Sequence, residues 1–232
     1  MKLYKILKSN SNIEEGKLYS FINPYSYLLL RHSKLLDDIN AVFIDGGFLA
    51  LIMSLVFRQR IQRISFDMTS LAPQVFKNAE MTGDSIYFVG SKDEEIVNFI
   101  SRIKEAYPKL IIAGYRNGYF EADEYEKELE SICLAEPKII VVGMGTPIQE
   151  KFLIDCRNKG WLGTGFTCGG FFHQTAKSIL YYPLWIDKYN LRWMYRIYDE
   201  PKLLRRYMID YTWFLFVFAY DVVKYRISNK GD

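Results

Sequence analysis

One segment of the chain, residues 139–152, constrains the fold more than any other. It begins with four consecutive β-branched residues, continues into a turn that contains Gly143 and Gly145, and then takes up a helical pattern. Parallel α/β sheets present main-chain atoms to a ligand in this way, at the carboxyl end of a strand. Thr146 is expected to cap the following helix, with Pro147 at its first position. The two glycines let the backbone approach a bulky anionic group closely.

The same alternation of strand and helix patterns continues through most of the chain. Strands are predicted at residues 17–22, 41–44, 85–89, 110–113, 138–142 and 162–166. Helices are predicted at residues 25–40, 48–57, 69–79, 93–106, 121–131 and 147–158, with Ser91 as the cap of the fourth. This order predicts an α/β fold, a Rossmann-like, doubly wound and mostly parallel sheet, over residues 1–180.

The character of the chain changes at about residue 181, where aromatic and basic residues become frequent. Residues 181–232 are therefore predicted to form a helical C-terminal appendage. Its run 212–219 is nearly all apolar, but is shorter than the ~20 residues that a membrane-spanning helix needs. Such a helix can lie in the plane of a membrane surface, or it can pack on the sheet or on another subunit. The membrane alternative would expose Trp213, Phe214, Phe216 and Phe218.

Composition excludes several classes of protein. A net charge of +3 with 25% charged residues argues against a nucleic-acid binder. Cys133, Cys156 and Cys168 are odd in number and lack C-x-x-C spacing, which indicates neither a disulfide framework nor a zinc site and fits a reducing compartment. No secretory signal is predicted. His32 and His173 are too far apart to suggest a metal pair, and His173 is expected to be a turn or surface histidine without an acid–base partner.

Short blocks in a fixed order over roughly residues 15–210 carry a family resemblance. They lie at residues 21–24, 42–46, 88–92, 114–120, 143–150, 193–196, 200–201 and 205–207. Together they resemble the WecG/TagA/CpsF family of bacterial glycosyltransferases. The resemblance implies an inverting enzyme that moves a hexosamine-type sugar, N-acetylmannosamine or its uronic acid, from UDP to a polyprenyl-diphosphate-linked sugar. That reaction belongs to the assembly of cell-surface polysaccharide or teichoic acid.

The resemblance also implies partners and a location. The UDP-sugar is a substrate, so no cofactor is expected, and without a D-x-D motif no metal is expected either. The protein is expected in the cytoplasm, peripheral on the inner face of the bacterial plasma membrane, where it meets an anionic lipid surface. The sequence leaves a homo-oligomer open.

Asp45 is the predicted catalytic base, because the acceptor hydroxyl must lose its proton as it attacks. It follows an apolar strand directly, so its carboxylate is expected at the ligand edge of the sheet, where partial loss of water raises a carboxyl pKa. Spacing alone favours a helix cap at this position, whereas the resemblance implies the base.

The predicted donor-binding residues are Asn23, Arg63, Gly90, Ser91, Gly114, Tyr119, Gly143, Gly145 and Gln149. The glycines, Ser91 and Tyr119 are expected on loops at or just after strand ends. Residues predicted to meet the acceptor diphosphate and the membrane are Arg196, Arg205 and Arg206.

The chain departs from the family pattern at Phe21, Gln62 and Phe172. Phe21 replaces a threonine, so the hydroxyl contact is either lost or supplied elsewhere, with Ser20 as a candidate. Arg63 is taken in place of the arginine that aligns with Gln62. These departures bear on the identity of the sugar more than on the class of reaction. Two other functions remain open: a Rossmann-like oxidoreductase, weakened by the missing third glycine, and a non-catalytic membrane-docking protein.

Overall fold

A computed structural model describes residues 2–8, 10–183, 185, 186, 189 and 191–228. The strands in this part of the chain are β1 Leu18–Ile22, β2 Ala41–Ile44, β3 Ser85–Gly90, β4 Ile111–Arg116, β5 Ile139–Gly143 and β6 Thr164–Thr167. These six form a single sheet of order β2-β1-β6-β5-β3-β4, in which every neighbouring pair is parallel. The predicted Rossmann-like parallel sheet is confirmed, and each predicted strand lies within three residues of the observed one.

Helices cover both faces of the sheet. In the described part of the chain they include α1 Lys2–Lys5, α2 Pro24–Leu30, α3 Gly47–Phe57, α4 Ala72–Thr82, α5 Asp93–Ala106, α6 Ala122–Ala135, α7 Ile148–Asn158, α8 Phe171–Lys177, α9 Arg192–Asp199 and α10 Tyr211–Ser228. A short helical turn, Leu203–Arg205, and a π-helical segment, Arg206–Asp210, lead into α10. The prediction of one continuous helix at residues 25–40 was wrong. This segment is divided into α2 and a separate 3-10 turn, Lys34–Asp37. The Ser33 hydroxyl accepts from the Leu35 N–H at 3.2 Å and starts this second turn.

The sheet separates two apolar clusters, one on each face. All residues of β1, β2 and β6 are buried, as expected for strands that are covered on both faces. The buried residues of β1 and β6 include polar ones, namely Ser20, Thr164 and Thr167. Strand β4 forms one edge and alternates between exposed and half-buried residues. Strand β2 is buried although it forms the other edge, because Val42 exchanges backbone hydrogen bonds with Ile6 and Lys8 on its outer side.

One face of α10 is part of the core. Phe214, Phe218 and Val222 are buried in the cluster that contains Tyr27 of α2. Asp221, 1% exposed, lies 2.6 Å from the Arg31 guanidinium and accepts from the Tyr27 hydroxyl at 2.9 Å. The predicted apolar surface is corrected accordingly: Phe214 and Phe218 point inward, because this face packs on α2.

The opposite side of α10 is exposed, and it includes Trp213 and Phe216. The positions 184, 187, 188, 190 and 229–232 of the predicted appendage lie outside the described residues. Among the helices that are described, none combines the length and the apolarity needed to cross a bilayer.

Candidate active site

Loops from the carboxyl ends of three strands meet at one edge of the sheet. Gly90 ends β3 with a φ of +145°, and a Cβ on it would lie 2.4 Å from the carbonyl oxygen of Gly143 at the end of β5. The Ser91 N–H donates to that same carbonyl at 3.2 Å, and the Gly118 N–H donates to the Ser91 carbonyl at 2.9 Å. Only a residue without a side chain fits at Gly90, so this glycine decides how closely the loops approach.

Two residues of this edge remain accessible. Gly145 has a φ of +80°, and the space that a Cβ would occupy there is open. Tyr119, which follows β4, is 68% exposed.

Gly114 lies elsewhere than expected: it is inside β4, where a Cβ would lie 2.3 Å from the Tyr87 ring. The loop placement predicted for Gly114 was wrong, because this glycine makes room for a packed aromatic ring.

Two predicted helix caps were also wrong. Pro147 is the N-cap of α7, and the Thr146 hydroxyl donates instead to Glu150 Oε1 at 3.3 Å. Ser91 has a φ of +61°, and its hydroxyl is bonded to the Glu95 carboxylate, so Lys92 becomes the N-cap of α5. In both cases a carboxylate one turn into the helix competes for the hydroxyl.

Gln149 and Glu150 are buried beneath the turn that follows β5. Gln149 Nε2 donates to the Thr146 hydroxyl and to Glu150 Oε1, both at 3.2 Å, and its Oε1 accepts from the Gly169 N–H at 3.2 Å. Gln149 is thus engaged at both ends of its amide and holds the β5 turn against the β6 turn. The Ser20 hydroxyl donates to Glu150 at 2.8 Å and is fully buried, so Ser20 is not the residue that replaces the missing hydroxyl contact. Burial raises the pKa of Glu150, against the effect of its hydrogen bonds.

Asp45 lies at the carboxyl end of β2, where its N–H donates to the Ile22 carbonyl at 2.7 Å. It does not cap α3, because the N-cap is Gly46 and no side chain bonds there. Its Oδ1 lies 3.3 Å from Arg63 Nη2, and 37% of the side chain is exposed. Loss of surrounding water raises the pKa of Asp45 above its ordinary value, and the Arg63 charge opposes this rise.

Arg63 is shared between two carboxylates. Its Nη2 lies 2.8 Å from Asp67 Oδ2, and Arg192 Nη1 at the start of α9 lies 3.4 Å from the same oxygen. Burial alone would raise the pKa of Asp67, but Arg63 and two neighbouring hydroxyl donors hold it below its ordinary value. Asp67 therefore stays ionised and fixes both arginines, which leaves Asp45 as the weaker partner of Arg63.

Sequence reasoning assigned no role to Asp67 or Arg192. The four-residue spacing of Arg63 and Asp67 predicts an ion pair only on a helix, and residues 63–67 are irregular, so the sequence carried no signal for this pair. Nothing in the sequence indicated that α9 would reach this pair, since Arg192 and Asp67 are 125 residues apart.

Asn23 caps α2 next to the Asp45 turn. Its Oδ1 accepts from the N–H groups of Tyr25 at 3.0 Å and Ser26 at 3.1 Å. A Cβ on Gly46 would lie 3.8 Å from the Asn23 Cβ, which places this amide beside Asp45. The side-chain oxygen thus serves the helix, and the amide nitrogen is the group that remains for a ligand.

Two of the three predicted acceptor arginines, Arg196 and Arg206, lie against turns at the carboxyl edge of the sheet. Arg196 Nε is buried and has no hydrogen-bond partner among the described residues, and its Nη2 lies 3.5 Å from where a Cβ on Gly170 would be. The Arg206 guanidinium lies 4.1 Å from the Tyr25 ring centroid, at the first turn of α2. Arg205 is exposed. Because a buried, unpaired guanidinium nitrogen is costly, the position of Arg196 is suited to an anionic ligand.

His173 has the acid–base partners that the sequence did not reveal. Its Nδ1 lies 2.7 Å from Glu95 Oε1, and its Nε2 lies 3.8 Å from Glu200 Oε1. His173, Asp199 and Glu200 are the one group among the described residues whose ligand atoms, within 4.8 Å of one another, could hold a metal ion. However, the Lys177 ammonium lies 2.7 Å from Asp199 and already balances that carboxylate. In this structure the cluster joins α5 and α8 to the end of α9.

Comparison with known proteins gives consistent matches over nearly the whole chain. Residues 3–230 match the family described as "Glycosyl transferase WecG/TagA/CpsF family". The UDP-Gal:alpha-D-GlcNAc-diphosphoundecaprenol beta-1,4-galactosyltransferase of Shigella boydii is 35% identical over 196 residues, 84% of this chain and 83% of that protein. The N-acetylglucosaminyldiphosphoundecaprenol N-acetyl-beta-D-mannosaminyltransferase of Bacillus subtilis (strain 168) is 27% identical over 194 residues, 80% and 73% of the two chains. The Bacillus spizizenii (strain ATCC 23059 / NRRL B-14472 / W23) protein of the same name is 26% identical over 178 residues, 76% and 67%.

Proposed function

This chain belongs to the WecG/TagA/CpsF family of glycosyltransferases, and from that premise we propose that it transfers a hexose or a hexosamine-type sugar from UDP to N-acetylglucosamine carried on a polyprenyl diphosphate. The names of the three relatives share this acceptor, whereas the donor is UDP-galactose in one and the transferred sugar is N-acetylmannosamine in the others. The expected hexosamine donor is therefore widened to include galactose. Family membership sets aside the oxidoreductase and the non-catalytic alternatives.

Asp45 carries the chemical proposal, because it is a half-exposed carboxylate at the ligand edge that caps no helix. It takes the proton of the acceptor hydroxyl as that oxygen forms a bond to the anomeric carbon of the donor. The bond from this carbon to the phosphate oxygen breaks, and UDP leaves with the electron pair. The relatives are named for β products, and a β product from an α-linked UDP-sugar requires inversion, which one displacement achieves.

We propose that arginines and loop amides of the cleft stabilise the negative charge that develops on the departing diphosphate. Arg63 stands between Asp67 and Asp45, and Arg196 presents its unpaired Nε from the tail side. Fixed cationic groups at the site of a departing diphosphate stabilise the charge that develops there.

The turns at Gly90–Ser91 and Gly143–Gly145 and the exposed Tyr119 are proposed to hold the UDP moiety. Arg205 and Arg206 are proposed to meet the acceptor diphosphate at an anionic membrane on its cytoplasmic side.

The function is tested by UDP release. Purified protein is incubated with UDP-galactose, UDP-N-acetylmannosamine, its uronic acid or UDP-N-acetylglucosamine, with and without a short-chain polyprenyl-diphosphate-N-acetylglucosamine. We expect release that depends on the acceptor for one of the first three donors, and a product heavier by the mass of the transferred sugar residue in mass spectrometry. Release that is equal with and without acceptor, or absent with all donors, would contradict the proposal.

Gly145→Ala is expected to weaken UDP binding by roughly tenfold or more, equivalent to about 1.4 kcal/mol. Alanine is strained at a φ of +80°, and its methyl group would point into the open space of the cleft. Gly160→Ala is the matched control: it has a φ of +105° and equally open surroundings, but it follows α7 at the other end of the sheet. Calorimetry should show weakened UDP binding for Gly145→Ala alone. Equal affinities in the two variants would mean that the β5 turn is only a connection.

A further inference from the structure

Ser91 has a backbone conformation that few residues other than glycine adopt. Its φ is +61°, in the left-handed region, and such a residue persists there only where its surroundings restrain it. Its N–H donates to the Gly143 carbonyl at 3.2 Å, and its carbonyl accepts from the Gly118 N–H at 2.9 Å. This one residue therefore joins the turns that follow β3, β4 and β5.

The Glu95 carboxylate restrains Ser91 from the first turn of α5. Its Oε2 accepts from the Ser91 hydroxyl and from the Lys92 N–H, the latter at 3.3 Å. Loss of surrounding water acts to raise the pKa of Glu95, but these two hydrogen bonds and one from His173 hold it below its ordinary value. Glu95 is therefore ionised, and an ionised carboxylate only accepts hydrogen bonds.

The imidazole of His173 holds the other oxygen of this carboxylate. Its Nδ1 lies 2.7 Å from Glu95 Oε1, and because Glu95 only accepts, Nδ1 carries the hydrogen and donates it. The second ring nitrogen, Nε2, is buried and has no hydrogen-bond partner among the described residues, since Glu200 Oε1 at 3.8 Å is beyond hydrogen-bond distance. The bond to Glu95 therefore sets the orientation of the ring.

Helix α8 gives His173 a rigid base. Phe171 and Phe172 precede it and are almost fully buried. Their ring centroids lie 5.3 Å and 4.7 Å from that of Phe99, which belongs to the same helix as Glu95. A side chain that is held by packing around it can fix the geometry of a neighbouring group.

We propose that His173 is a positioning residue for the donor: through Glu95 it holds Ser91 in the left-handed conformation and keeps the three turns in place for UDP. The proposal rests on the proposed function for the identity of the ligand only. His173 acts through Glu95 and Ser91 and donates one N–H, so an amide placed at Nδ1 can replace the imidazole. A histidine that merely joined α5 to α8 would affect stability and leave UDP affinity unchanged.

The first test compares three variants of α8. His173→Leu keeps most of the bulk and removes the donor, whereas His173→Asn keeps an N–H at the position of Nδ1. Lys177→Met is the matched control, because it removes another polar link of α8, the ammonium 2.7 Å from Asp199, which does not reach Ser91. Circular dichroism checks the fold. If His173→Leu misfolds, His173→Gln replaces it, since the glutamine amide reaches the position of Nε2 instead.

UDP affinity is measured by calorimetry. We expect the Kd to rise roughly fivefold or more in His173→Leu, since a hydrogen bond to a charged group is lost. His173→Asn should stay within about twofold of wild type, and Lys177→Met should bind UDP normally. Wild-type affinity in His173→Leu, or an equal loss in the asparagine variant, would overturn the proposal.

Ser91→Gly distinguishes positioning from general support of the fold. Glycine adopts a positive φ freely and offers no hydroxyl to Glu95, so the restraint from His173 loses its object. In the Ser91→Gly background, the effect of His173→Leu on UDP affinity should therefore shrink to less than about twofold. The same fold-loss in both backgrounds would show that His173 does not act through Ser91.

Amide hydrogen exchange provides a readout that needs no nucleotide. The Ser91 and Gly118 amides make the hydrogen bonds that join the turns, so both should exchange faster in His173→Leu than in the wild type or in Lys177→Met. Unchanged exchange of both amides in His173→Leu would contradict the positioning role. Faster exchange in a protein whose wild type binds no UDP would support that role and contradict the proposed function alone.

Discussion

Asp45→Asn is expected to lower kcat by roughly 10²–10⁴-fold, the usual effect of losing a general base. Asparagine keeps the shape of the side chain but cannot accept the proton of the acceptor hydroxyl. UDP affinity should change little, because the turns proposed to hold UDP leave β3, β4 and β5, whereas Asp45 follows β2. Asp38→Asn is the control, since Asp38 is exposed and precedes the same strand. Near-wild-type turnover in Asp45→Asn would rule out Asp45 as the base.

The pH profile gives an independent measurement of the same assignment. A base works only when it is ionised, so kcat/KM should fall as the pH drops through the pKa of Asp45. Because the loss of surrounding water raises this pKa, the acid limb should lie above that of an ordinary aspartate. Arg63→Met removes the charge that opposes the rise, so the limb should move to higher pH. A limb at the wild-type position in that variant would show that Arg63 and Asp45 are not coupled.

Asp221→Ala is expected to lower the free energy of unfolding by about 3 kcal/mol, the lower end of the cost of removing one partner from a buried ion pair. The variant leaves the Arg31 guanidinium and the Tyr27 hydroxyl without the carboxylate that joins them to α10. The lower end applies because 24% of the Arg31 side chain is exposed and can be hydrated. For a chain of this length the melting temperature should fall by roughly 6–12 °C.

The control for this stability measurement is Asp123→Ala. Asp123 also pairs with a cation, Lys127 at 3.0 Å, but both side chains are more than 70% exposed. Exposed pairs contribute up to about 1 kcal/mol, so denaturant unfolding should separate the two variants clearly. Equal stabilities would show that α10 is held to the domain weakly, and that the C-terminal residues act as a separate appendage.

The strands and most helices could be predicted from local patterns. Helix α5 has the predicted bounds 93–106, because its apolar residues recur at helical spacing and three acidic residues occupy its first turn. The strands were found because buried parallel strands are short β-branched and aromatic runs between turns. The caps at Thr146 and Ser91 were wrong because a nearby glutamate takes each hydroxyl, and no spacing rule ranks these alternatives.

The sequence by itself determined the order of strands and helices and the positions of Asp45, Gly90 and Gly143 at or just after strand ends, since these depend on interactions between residues close along the chain. Only the tertiary structure joined Asp45 to Arg63, brought Arg192 to Asp67, and turned Gln149 and Ser20 inward. It also decided which apolar stripe of α10 is covered: the sequence of this helix is apolar nearly all round, so its periodicity cannot choose a face. Contacts between residues far apart in the chain form only when whole elements pack, and that packing is a property of the complete fold.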